Sequence, residues 1–276
     1  MTLRRGLGIN AGLEAGLARE LAARCGHLGY HSLWSNDEAE DPGFETLAHF
    51  ATGAPGLELG VGVLPLHRYS PARIAADIDR LNLDPARLWI GIGSGSLRPQ
   101  LEIVRRSVAE LRELLPDARI VTAAMRPKLC HLGGELADGV LLNWMLPEQA
   151  AESRRWVLEG AEEAGRPHPL VASYIRVAVG DGAMARLQEA EGYYRNVNEG
   201  HRKHFEAMDV PLGSVGVAAP WRPQAAEGLA PYQSALDLPI VRVLAEQNQE
   251  ALFAVADAAA PQINGPSGSG KRAPPL

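Results

Sequence analysis

Apolar residues in this 276-residue chain come in short runs, each followed by a longer stretch where they recur every three or four positions. Short runs of Val, Ile and Leu suit buried strands, and the wider spacing places its apolar residues on one face of a helix. The first run covers residues 3–9. Residues 13–28 follow, with Leu13, Leu17, Leu21, Cys25 and Leu28 at helical spacing and Gly29 as the stop. The same alternation predicts strands over 30–34, 57–64, 88–92, 119–124, 139–142, 171–179 and 239–244. It predicts helices over 42–52, 71–81, 100–115, 127–136, 147–164, 183–208 and 247–259. Residues 53–56 are a turn, and the stretch from 209 to about 231, rich in Gly and Pro, reads as irregular.

Strands separated by helices of this length take right-handed crossovers and pair in parallel. Eight such units predict a closed (β/α)8 TIM barrel rather than an open doubly wound sheet, and the length lies close to the ~250 residues typical of that fold. The expectation is one barrel domain over 1–262 and a disordered tail over 263–276, natural or left by cloning. That tail has almost nothing to bury. Its Gly-Ser-Gly-Lys tetrapeptide lacks the strand and helix that a phosphate loop needs.

A barrel builds its active site from the loops at the carboxyl ends of its strands, and those ends hold most of the unusual residues. They are Asn10, then Trp34 to Glu38, Gly62-Val63-Leu64-Pro65, Gly93-Ser94-Gly95-Ser96, Ala124 to Lys128, and Asn143-Trp144. The glycines after the fourth strand either admit a flat ring or phosphate close to the backbone, or serve a turn needing positive φ. Arg126-Pro127-Lys128 opens a helix and is either an anion cradle or a solvated basic pair. Asp37 and Glu38 beside Trp34 offer acid–base chemistry, against a helix cap and a solvated carboxylate. Asn10, Asn143 and Trp144 offer neutral hydrogen bonds and a stacking face, or plain rim packing.

Composition narrows the classes. Charged residues make up 22% and the formal charge is −6 with pI near 5.8, so no basic field invites nucleic acid. No stretch approaches the ~20 apolar residues of a membrane span. The first residues lack a signal-peptide core, and the two cysteines, Cys25 and Cys130, suit a reducing cytoplasm. His201 and His204 stand three apart without a third ligand in sequence, which argues against zinc. No Gly-x-Ser-x-Gly elbow sits at a strand end, and the fourth-strand glycines lack the position and spacing of a dinucleotide fingerprint.

The order of Trp34-Ser35-Asn36-Asp37, residues 59–63 with Arg68-Tyr69-Ser70-Pro71, residues 91–95, Ala124 with Pro127-Lys128, and residues 137–140 resembles the luciferase-like monooxygenase family. The likeness is nearest to its branch of enzymes dependent on the deazaflavin coenzyme F420 and spans roughly residues 3–259. It implies a dimeric barrel that binds deazaflavin or FMN in its mouth. It implies a non-prolyl cis peptide at Gly62-Val63 backing the ring together with Leu64. Gly93, Ser94, Gly95, Ala124, Met125, Arg126 and Asn143 would hold the coenzyme. Many relatives in that branch carry His after the second-strand Asp and some carry Glu after the fourth-strand Gly. Here those places hold Glu38 and Ser96, so a sugar-phosphate dehydrogenase activity does not carry over. The chain also leaves little room for the long lid loops of a light-emitting luciferase.

The resulting expectation is a hydride transfer between coenzyme F420 and a small organic substrate. Asp37 is the leading proton donor or base, Glu38 the second, and Asn36 orients them. Trp34, Trp144, Asn10, Tyr174 and Arg176 are expected to line the substrate pocket. An FMN-dependent monooxygenase on the same barrel is the alternative, and a catalytically silent ligand-binding barrel is the third reading.

Overall fold

A computed structural model describes residues 4–38 and 43–261. The tail expected over 263–276, and its tetrapeptide, lie outside the described residues. The strands are β1 (Gly6–Ile9), β2 (Ser32–Ser35), β3 (Glu58–Pro65), β4 (Leu88–Gly93), β5 (Arg119–Ala124), β6 (Gly139–Asn143), β7 (Leu170–Val179), β8 (Val217–Ala219) and β9 (Leu238–Val243). All but β8 form a ring in the order β1 to β7, then β9 and back to β1, with every pairing parallel. The β6–β7 pairing closes it. The (β/α)8 barrel expected from the alternation is the observed fold. The helices are α1 (Ala15–His27), α2 (Phe44–Gly53), α3 (Pro71–Arg80), α4 (Gln100–Leu114), α5 (Pro127–Leu136), α6 (Pro147–Glu163), α7 (Ala183–Val197), α8 (Glu199–Met208), α9 (Arg222–Ala235) and α10 (Gln249–Ala258).

Two expectations need correction. The single helix over 183–208 is two helices. Asn198 adopts extended backbone (φ −163°, ψ 166°) and its side-chain oxygen accepts from the His201 amide, 2.9 Å away, which caps α8 afresh. The irregular stretch to about 231 instead contains β8 and α9. Pro223 sits in the first turn of α9, where no donor is missed, and Ala225, Leu229 and Tyr232 keep a buried helical stripe past Pro231. Val177 pairs with both Val243 of β9 and Val217 of β8. β8 therefore continues the barrel wall above β6, on the mouth side.

Side chains alternate along each strand and divide the core in two. Leu7, Leu33, Leu59, Val61, Ile90 and Ile92 face outward against the helices. Trp34, Trp89, Val121, Leu141, Ala172, Tyr174, Leu238 and Ile240 fill the barrel interior. Room for Trp34 comes from Gly60 beside it. A Cβ there would stand 2.2 Å from the indole ring, closer than any real contact. At the amino-terminal floor, Glu58 accepts from Trp89 and Arg119, each at 2.6 Å, and pairs with His31 at 3.3 Å, stapling three strands and the approach to β2. Contacts at that end of a barrel serve stability rather than chemistry.

Candidate active site

Alternation carried up the strands brings Asn10, Asn36, Gly62, Gly93, Ala123, Asn143, Arg176 and Arg242 to the mouth-side end of the interior. β3 departs from the alternation. Between Val61 and Leu64 it carries one residue more than β4, a bulge that turns Val63 toward the interior cluster and Leu64 outward. The Gly62–Val63 peptide within the bulge is cis. Tyr174 of β7 reaches across the barrel, and its hydroxyl donates to the Gly62 carbonyl at 2.8 Å.

The β4 loop closes on β3. Gly95 lies at φ +59°, and a Cβ on it would fall 2.0 Å from His67 Nδ1, so only glycine admits the imidazole there. The Ser96 amide points to the same nitrogen at 3.4 Å. Ser94 is buried, while Arg126 is exposed at the N-cap of α5, whose first turn starts with Pro127. Bare backbone on β3 and β4 and a cationic helix start on β5 thus share one arc of the rim.

The opposite arc is lined by cations. Arg176 donates to the Asn143 side-chain oxygen and lies 3.9 Å from the centroid of the Trp144 ring. Arg242 donates to the Asn10 side-chain oxygen. Burial depresses both guanidiniums, and the Arg242 charge adds to the effect on Arg176, which is brought down to about 10. Both stay charged near neutrality.

Helices α7 and α8 form a cover over this arc. Trp144, in the left-handed region at φ 53°, packs against Tyr194 (5.1 Å between centroids) and Phe205 (5.5 Å), and its carbonyl bonds His204 Nε2 at 2.7 Å. His201 packs against Tyr194 with the rings tilted by 55° and their centroids 5.4 Å apart. Burial and then the neighbouring His204 and Arg176 charges push the His201 imidazole down to about 4. The cover is pinned by Glu191, a fully buried carboxylate that accepts from Arg195 and from the amides of Gly213 and Val215.

The expected site residues divide accordingly. Asn10, Asn143, Trp144, Tyr174 and Arg176 gather on the cationic arc, and Gly62, Val63, Gly93, Ser94, Gly95 and Arg126 on the glycine arc. Four pack into the core instead. Trp34 is fully buried in the interior, Nε1 donating to Ser32 at 2.9 Å, so it fills the core rather than lining a pocket. Leu64 and Ala124 belong to the outer core, because the bulge flips one and simple alternation the other. Met125, next to Ala124, is half-buried against that same outer core. Asp37 has both oxygens engaged, one by the Arg68 guanidinium and the other by the Tyr69 hydroxyl at 2.6 Å. That geometry ties the β2 loop to the β3 loop. Asn36 accepts from the Ala11 amide and donates to exposed Glu38, both at 2.9 Å.

Sequence reasoning missed Arg242 and the α8 histidines at the mouth. A single charge within the run Leu238-Pro239-Ile240-Val241-Arg242-Val243 was the available signal for the first. For the second it was His201, His204, Phe205 and Met208 at helical spacing, a face that must cover something.

Known proteins place the fold in a family. A model of the luciferase-like monooxygenase family matches residues 3–118 and 106–260. The chain belongs to that family. A 5,10-methylenetetrahydromethanopterin reductase of Methanolobus tindarius is 25% identical over 173 residues, which are 50% of this chain and 53% of that protein. The chain thus matches about half the length of this curated relative. An F420-dependent secondary alcohol dehydrogenase, solved with an F420–acetone adduct, superposes with TM-score 0.75 at 15% identity over 94% of this chain and 99% of that one. The FMN-bound oxygenating constituent of 3,6-diketocamphane monooxygenase from Pseudomonas putida gives 0.69 at 13% identity, over 94% and 97%. Among the described residues no helix is long and apolar enough to cross a membrane, and no group of three or more His, Cys, Asp or Glu is set to hold a metal.

Proposed function

We propose that this barrel transfers a hydride between coenzyme F420 and a small organic substrate. The observation that carries the reading is the division of the mouth into two arcs. Gly62, Gly93 and Gly95 leave room for Leu141, Val63 and His67 to pack close to the backbone and form the surface a flat ring would lie on, while Arg126 and the start of α5 suit a phosphate. A deazaflavin held there supplies the two-electron chemistry, and the chain supplies position and field. Val63, turned inward by the bulge, offers the surface behind the ring. Tyr174 fixes the Gly62 carbonyl, and the α7–α8 cover with Trp144 excludes water from the substrate side.

Proton handling passes from Asp37, whose oxygens are both engaged, to groups at the mouth. Glu38 is exposed and oriented by Asn36. His201 is held neutral near pH 7, with Nε2 buried and without a protein partner. The alternative coenzyme, FMN, fits the same glycine arc, and the FMN-bound monooxygenase above shares the fold.

Anaerobic mixing with oxidised F420 and a panel of small alcohols and acids tests the reading. Substrate-dependent loss of the deazaflavin absorbance is expected. Oxygen uptake with reduced FMN, and no bleaching of F420, would move the assignment to a monooxygenase. Coenzyme binding with neither response would support the silent barrel.

A further inference from the structure

Arg176 and Arg242 are register partners on β7 and β9, so both project to the same face of the sheet. That face is the interior, since Tyr174 and Ile240 sit two residues below them within the barrel core. Each arginine is nearly sealed from solvent, at 4% and 7% exposure. Two adjacent buried cations call for a counter-ion, yet among the described residues neither makes an ion pair. Their partners are the neutral amide oxygens of Asn143 and Asn10 and, for Arg176, the neutral Tyr194 side chain. Among the described residues, the carboxylate whose charge acts on Arg242 is that of exposed Glu38, already bound by Asn36.

The unsatisfied atoms point the same way. Arg242 Nη1 is buried without a hydrogen-bond partner, and so is Nε1 of Trp144, the ring stacked on Arg176. Both are donors. Unpaired donors beside two cations that no described carboxylate pairs are complementary to a negatively charged acceptor.

Resting on the hydride-transfer reading, we propose that Arg176 and Arg242, with Trp144 beside them, bind an oxyanion of the substrate. The substrate class is then a small organic carboxylate, phosphate or sulfonate rather than a neutral alcohol. The arginine forks would anchor the charged end and leave the reacting carbon to face the glycine arc. The rival source of the same chemistry is the coenzyme's own phosphate, which the experiment separates.

Inorganic phosphate and acetate are titrated calorimetrically into the coenzyme-free protein, and F420 is titrated separately. The wild type should bind phosphate saturably and melt higher in its presence. Arg242→Met and Arg176→Met should each weaken phosphate about tenfold or more, as loss of a bidentate charged donor implies, while F420 affinity stays within about threefold. Arg242→Met should also melt no lower than the wild type without phosphate, because a buried uncompensated charge has been removed. Should either Met variant fail to fold, Arg242→Lys keeps the charge without the fork and should lose about three- to tenfold in phosphate affinity. Absent phosphate binding, or affinity unchanged in these variants, would overturn the proposal. So would an equal loss of F420 and phosphate binding, which would assign the arginines to the coenzyme. Failure of F420 and FMN to bind the wild type, with phosphate binding still arginine-dependent, would support the anion site and overturn only the coenzyme reading.

Discussion

Replacing Glu58 by Gln tests how the barrel floor is held. Burial alone would raise this carboxyl, but hydrogen bonds from His31, Trp89 and Arg119 outweigh it and hold the group at about 2, against 4.5 for a free glutamate. A shift of that size corresponds to about 3 kcal/mol of preference for the ionised form in the folded state, and 27% side-chain exposure trims it toward 2. A carboxyl whose folded value is depressed stabilises the protein fully above its unfolded value. That contribution drains away as pH falls from about 4.5 to about 2. Glu58→Gln keeps the shape but accepts with one oxygen where two served Trp89 and Arg119. Urea unfolding at pH 7 should therefore show the variant about 2–3 kcal/mol less stable, with the gap narrowing below pH 4.5 and closing near pH 2. A gap that stays constant across that range, or one under about 0.5 kcal/mol at pH 7, would refute the staple, since an exposed pair contributes no more than that.

Other substitutions probe the interior and the mouth. Gly60→Ala forces a methyl group to within 2.2 Å of the Trp34 indole, which Tyr174 and Ser32 hold in place, and should cost about 3 kcal/mol or more by denaturant unfolding. Tyr174→Phe removes the donor to the Gly62 carbonyl and should destabilise by about 1–2 kcal/mol in the same assay, with a measurable loss of coenzyme affinity. The His201 imidazole, held at about 4 by burial and the charges of His204 and Arg176, should show no proton-NMR titration midpoint between pH 5 and 8. Because its folded value lies below the free one, its contribution to stability falls as pH drops from about 6.5 toward 4.

The alternation of apolar runs was enough to read the barrel, since each strand's burial on both faces leaves its own mark in the sequence. Strand β5 and helix α5 fall at 119–124 and 127–136, as the spacing and Pro127 predict. What escaped was set by contacts distant in sequence. Pro231 and the glycines around α9 suggested irregular chain, but the stripe from Ala225 to Tyr232 is paid for by packing that no local pattern reveals. Asp37 looked free because Arg68 and Tyr69 reach it from the next loop. The bulge in β3 reverses Val63 and Leu64, and only the pairing register with β4 exposes it. Arg242 was one charge in an apolar run, and its meaning came from standing beside Arg176.

Fluorescence titration of oxidised F420 and of FMN against the wild type and Gly95→Ala tests the central claim most directly. A methyl group at this φ +59° position is strained and must displace the exposed His67 imidazole from the β4 loop. The account predicts saturable binding of F420 to the wild type, tighter than FMN, and at least tenfold weaker binding to the variant. Binding of neither coenzyme, or equal affinity in both proteins, would contradict it.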